Sequence, residues 1–128
     1  MPSLDFAALV QNYCRSPQLP APVLINGVSC CIEAAGRAPV VIAWDETRDD
    51  VVIIVPLSEQ PMPLSVERAQ ELLSAAFVGQ DLDGAAIGLD PATGVLSLWR
   101  RLASEAATLT RLALDIERTS ATALLVAR

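Results

Sequence analysis

The side chains able to do chemistry fall into two acidic groups and three cysteines. Asp45-Glu46 with Asp49-Asp50 gathers carboxylates, the hard oxygen ligands that a divalent cation takes. The stretch lacks the spacing and the glycine of an EF-hand loop. It reads instead as a solvated hairpin loop whose charges guard the adjoining apolar strand against aggregation. Asp81, Asp83 and Asp90 read as a polar loop plus a turn aspartate. Cys14, Cys30 and Cys31 are an odd set. Neighbours such as Cys30 and Cys31 point to opposite faces of a strand and cannot readily hold one ion together. They read as small buried hydrophobes in a reducing cytoplasm.

What is missing narrows the chemistry further. The sequence has no histidine, which removes the usual general base and every Ser-His or Cys-His arrangement. All nine basic residues are arginine, so neither a Schiff base nor a Walker-type lysine is available. Gly84-Ala85-Ala86-Ile87-Gly88 lacks the residues that would complete a phosphate-binding loop. No enzyme, cofactor or metal ion is therefore expected. A carboxylate-dependent hydrolase would need turnover, or metal held at Asp45, Glu46, Asp49 and Asp50.

Composition points toward protein partners. The 128 residues suit one domain, 1–128, and 52% are apolar, enough for a core without staples. A net charge of −6 and scattered arginines oppose binding to nucleic acid or to an anionic membrane. The apolar runs are too short to span a bilayer, and the first residues lack a basic, apolar leader, so a cytoplasmic protein is expected.

These residues must be positioned by a small set of elements. A helix is predicted over 4–15, with Ser3 as its cap and Phe6, Leu9, Val10, Tyr13 and Cys14 on one side. Prolines at 17, 20 and 22 end it. Strands are expected at 23–25 and 28–34 around an Asn26-Gly27 turn, then at 40–44 and 51–55, with turns at Gly36 and at 45–50. Pro56 limits the last of these to an edge or an end. Links this short imply antiparallel pairing.

A second helix is predicted over 65–77, capped by Ser65. Its apolar members Val66, Ala69, Leu72, Leu73, Ala76 and Phe77 cover an arc of roughly 140°, broad for a one-sided surface helix. A hairpin of 85–89 and 95–99 turns at Asp90 to Gly94. A last helix over 103–127 would face inward with Leu109, Leu112, Ala113, Ile116 and Ala123, while Arg111, Asp115 and Arg118 pair on its other side. The expected fold is α+β: an antiparallel sheet of about five strands packed with three helices, in the order α-β-β-β-α-β-β-α.

Strands covered on one face usually alternate apolar with polar residues. Here 40–44 and 51–55 are apolar at every position. Either both faces are covered within the chain, or one apolar face is meant for a partner.

The order of elements, together with several local stretches, resembles the class I type III secretion chaperones of the Tir chaperone family. The stretches are Val40 to Trp44 with Asp45-Glu46, Val51 to Val55 running into Pro56-Leu57, and the hairpin Ala86 to Leu98 before an amphipathic last helix. The family's last helix often carries aromatics near its end, and 109–128 has none. The resemblance implies a cytoplasmic bacterial homodimer that binds an extended N-terminal segment of a secreted effector protein without a nucleotide. Part of that segment would add a strand to a sheet edge, with side-chain anchors in apolar grooves. By position, Leu72, Leu73, Ala76, Phe77, Ile87 and Leu89 would form the dimer contact. Phe6, Leu9, Val10, Tyr13, Val40, Ile42 and Trp44 would receive the effector. The alternative is a non-secretory interaction module, an adaptor or inhibitor on the same scaffold.

Overall fold

The computed structural model describes residues 5–15, 19, 22–33 and 39–127. The element order follows expectation: α1 (Phe6–Tyr13), β1 (Ser29–Ile32), β2 (Val40–Asp45), β3 (Asp50–Pro56), α2 (Val66–Ala76), β4 (Ala86–Leu89), β5 (Leu96–Ala103) and α3 (Leu109–Val126). One antiparallel sheet runs β1-β2-β3-β5-β4. The expected Ser3 cap, the proline break at 17 and 20 and the Gly36 turn lie outside the described residues. Asp5 caps α1 instead, its Oδ1 accepting the Ala8 N–H at 3.0 Å.

Strand β3 sits at the centre of the sheet, and Pro56 falls at its end, where a missing N–H does least harm. Register places Ile42 opposite Ile53, Trp44 opposite Val51, and Val51 and Val55 opposite Leu102 and Leu98. All these side chains share one face with Cys30 and Ile32, and α3 packs across it over β3 and β5. Helix α1 lies on the same side: Phe6 stacks on Trp44 with ring centroids 6.5 Å apart, and α1 packs against α3.

Three elements depart from expectation, each for a local reason. The 23–25 stretch meets β1 only at a single Ile25–Ser29 bridge, because Asn26 and Gly27 (φ 53° and 71°) turn the chain within two residues. Strand β5 continues to Ala103, where a helix had been expected, because Asp50, Val51 and Val52 of β3 are available to pair with Ala103, Leu102 and Arg101. The last helix accordingly starts only at Leu109, where the Thr108 hydroxyl accepts the Arg111 N–H at 3.2 Å.

Helix α3 is also rotated from its expected facing. Leu112, Ile116 and Ala123 point inward, but Leu109 is exposed and Asp115 is 1% exposed. Burying that carboxylate is tolerated because Arg111 Nε lies 3.3 Å from Oδ2 and Arg118 Nη1 lies 3.7 Å from Oδ1. Beside it the Thr119 hydroxyl donates to the Asp115 carbonyl at 2.7 Å and accepts from Arg100 Nε at 3.1 Å.

Candidate protein-binding surfaces

Five of the seven carboxylates singled out above, Asp45, Asp49, Asp50, Asp83 and Asp90, are engaged in holding loops and strand ends. Arg101 Nη1 lies 3.1 Å from Asp45 and 3.2 Å from Asp50, and the Ser104 hydroxyl donates to Asp49 at 2.6 Å. Asp90 Oδ1 accepts the Ala92 N–H at 2.9 Å, the turn role expected of it. Asp83 is gripped by Arg118, whose Nε and Nη2 donate to its two oxygens at 2.9 and 3.0 Å. Among the described residues no group of three histidine, cysteine or acidic side chains could hold a metal ion. Burial pushes the Cys30 thiol up to about 11, the wrong direction for a nucleophile at neutral pH.

The hydrogen bonds from Arg118, helped by its charge and that of Arg100, hold the Asp83 carboxyl below its ordinary value of 3.8. A depressed folded value means that the contribution to stability is complete above 3.8 and fades as the pH falls through the folded value. The clamp is therefore indifferent to pH between 5 and 8. A carbon-detected NMR titration should find the Asp83 midpoint below 3.8, and Arg118→Ala should move it upward. An unmoved midpoint in that variant would overturn the assignment.

Two apolar surfaces remain without cover among the described residues. The first lies along α2, which Ser65 starts by accepting the Arg68 N–H at 3.0 Å. Only Leu72 of its expected apolar arc is buried; Val66 is exposed, as are Leu73 (70%) and, at the helix end, Phe77 (69%). Leu89 on the edge strand β4 continues the patch at 62% exposure. A hollow of about 430 Å³ opens beside it between Met62, Leu64, Leu72, Leu89 and Leu96.

The second surface is the sheet face turned away from the helices. Val41, Ala43, Val52, Ile54 and Trp99 alternate with the core residues and stay half-buried. Arg101 lies over the Trp99 ring, 5.5 Å from its centroid. A depression of about 610 Å³ runs over Val41, Ile54, Pro56 and Ser97, with Glu33, Glu59 and Asp90 on its rim. The outer edge of β1 beyond the Ile25 bridge has no strand partner among the described residues, so its backbone groups there can take another strand.

A fold of this order has counterparts. The sequence matches the Tir chaperone protein (CesT) family over residues 23–123. The chain belongs to that family. No curated protein sequence matches it. In fold it is similar to the HopA1-SchA chaperone-effector complex, at 21% identity and TM-score 0.67, covering 94% of this chain and 88% of that one. It is similar to the ExsC-ExsE complex at 15% identity and TM-score 0.73, over 94% and 92%. The ExoT-SpcS complex from Pseudomonas aeruginosa matches at 20% identity and TM-score 0.58, over 91% of each chain.

Within this Tir chaperone fold, the two expected sets of contact residues fare differently. Leu73, Phe77 and Leu89 of the dimer set are exposed, Ala76 and Ile87 are half-buried, and Leu72 is core at 6%. Of the effector set, Phe6, Leu9 and Val10 form the inner side of α1, and Val40 and Ile42 are buried at 4% and 0%. Tyr13 and Trp44 are half-buried against the core. Those five side chains pack into the core of the single chain. The alternate positions Val41 and Ala43, with Val52, Ile54 and Trp99, are the open ones. Strands apolar at every position hide, in the sequence, which half faces inward. Among the described residues, no helix is long and apolar enough to cross a membrane.

Proposed function

We propose that this chain is a type III secretion chaperone: a cytoplasmic homodimer, acting as one unit over 1–128, that holds an extended segment of a secreted effector and performs no catalysis. One observation carries the reading. Helices α1 and α3 pack on one side of the sheet, so the Val41-Val52-Ile54-Trp99 face, the outer β1 edge and the α2 patch carry apolar or unpaired groups with no helix over them among the described residues. That supports a guest on the first two and a second copy on the third. A strand laid along β1 would gain backbone hydrogen bonds there, while alternate side chains reach the apolar floor of the open face. The acidic rim of Glu33, Glu59 and Asp90 favours a guest with arginine or lysine beside its apolar anchors. An extended guest loses much conformational entropy on binding, so a long contact is needed to offset it.

The test is co-expression with the neighbouring open reading frame, followed by pull-down and mass measurement of the intact complex. Two copies of this chain with one effector N-terminal segment is the expected composition. A strictly monomeric protein that never co-purifies with such a segment would sink the proposal.

A further inference from the structure

The turn that follows α2 places a β-branched residue in a backbone conformation that costs it energy. Val78 adopts φ 47° and ψ 22°, the left-handed region that a β-branched residue rarely enters. Gly79, Asp83 and Gly84 are left-handed as well, at 71°, 52° and 81°. Glycine accepts that conformation freely and aspartate tolerates it; valine does neither. The Val78 side chain is also 83% exposed, the most exposed large apolar side chain among the described residues. Glycine or asparagine would satisfy the backbone better and water equally well.

Strain of this kind survives only where the surroundings over-determine the conformation, and here they do. Leu82, fully buried, anchors the segment to the core. Gly84 donates to the Gly79 carbonyl at 3.0 Å, and a Cβ on Gly79 would stand 3.1 Å from the Gly84 Cα. Arg118 grips the Asp83 carboxylate, and Arg100 Nη2 donates to the Asp83 carbonyl at 2.6 Å. The arginines tie the segment to β5 and α3, so Phe77 and Val78 are held outward by a rigid frame.

We propose that Val78 belongs to the two-fold contact: its side chain is covered by a second copy of the chain, and that contact is what a valine gains over glycine or asparagine at this turn. This rests on the homodimer reading above. Two observations favour a second copy as the occupant. Val66, Leu73 and Phe77 lie within roughly 40° of one line along α2, a seam the length of the helix, which is what two identical helices need to cross about a two-fold axis. Val78, Leu89 and Met62, like these three, are each more than three-fifths exposed, so a second copy seated here would take up to six large apolar side chains out of water.

The experiment is Val78→Asn and Val78→Gly, measured in two settings. In the otherwise unchanged protein, sedimentation equilibrium should show either variant weakening the dimer by about tenfold or more, since a symmetric contact loses the side chain twice. In a background made monomeric by Leu73→Asp with Phe77→Asp, Val78→Asn should raise the unfolding midpoint by about 3–5 °C, because the strain is relieved with nothing lost. A dimer constant unchanged by Val78→Asn, or a lowered midpoint in the monomeric background, overturns the proposal while leaving the dimer intact. An unchanged protein that is monomeric at every concentration overturns the homodimer reading itself, and this inference with it.

Discussion

Leu73→Asp combined with Phe77→Asp converts the protein to a monomer that keeps its secondary structure, read by sedimentation equilibrium beside circular dichroism. Both side chains stand about seven-tenths exposed in the single chain, so neither change disturbs the core. In a two-fold contact each substitution acts on both copies, and four apolar side chains leave the interface. At ~1.5–3 kcal/mol for each buried side chain the loss is about 6–12 kcal/mol. A micromolar dimer is held by only about 8 kcal/mol. Four carboxylates brought face to face add repulsion. The neighbouring Leu72→Asp should behave differently. That side chain is 6% exposed and packs beneath α2, so a charge there has no partner and the chain loses stability before association is at issue. A double variant that remains dimeric, with its spectrum unchanged, would move the interface away from α2.

The contrast between Leu72 and Leu73 marks how far the sequence could be read. The helix over 65–77, its Ser65 cap and its apolar arc were legible because helical spacing and capping chemistry are local. Which side of a broad arc faces the core was not, since both sides carry leucine. The same holds for α3. Asp115 sits among leucines at a position that charge pairing assigns to the surface, yet it lies inside because Arg111 and Arg118 reach it from the rim. Long-range partners decided the remaining departures. Strand β5 runs to Ala103 only because β3 offers Asp50 opposite it, and nothing within 99–108 signals that partner. Asn26-Gly27, by contrast, specifies its turn through backbone chemistry alone and was readable without any neighbour.

The strands pose the harder case and supply the second large prediction. Because 40–44 and 51–55 are apolar throughout, a one-residue change of parity exchanges the whole buried set for the exposed one without altering the pattern. The structure settles that parity through the other elements: α3 covers β3 and β5, and Phe6 of α1 stacks on Trp44, which fixes Val40 and Ile42 inward. Ile42→Glu should therefore unfold the chain. It places an unpaired carboxylate at a fully buried site and removes a core side chain, a loss above ~4 kcal/mol against a total stability of ~5–15 kcal/mol for a typical domain. Val41→Glu with Ile54→Glu, one residue out of phase and opposite each other in the register, should leave the fold standing and abolish capture of the effector segment. Chemical denaturation followed by pull-down separates the outcomes. A folded Ile42→Glu protein that had lost its client would return binding to the inner residues. A folded Val41→Glu, Ile54→Glu protein that still held its client would show that the open face has another use. The expected split, unfolding at one position and a silent fold with lost binding at the next, follows from the pleat of a sheet covered on a single side.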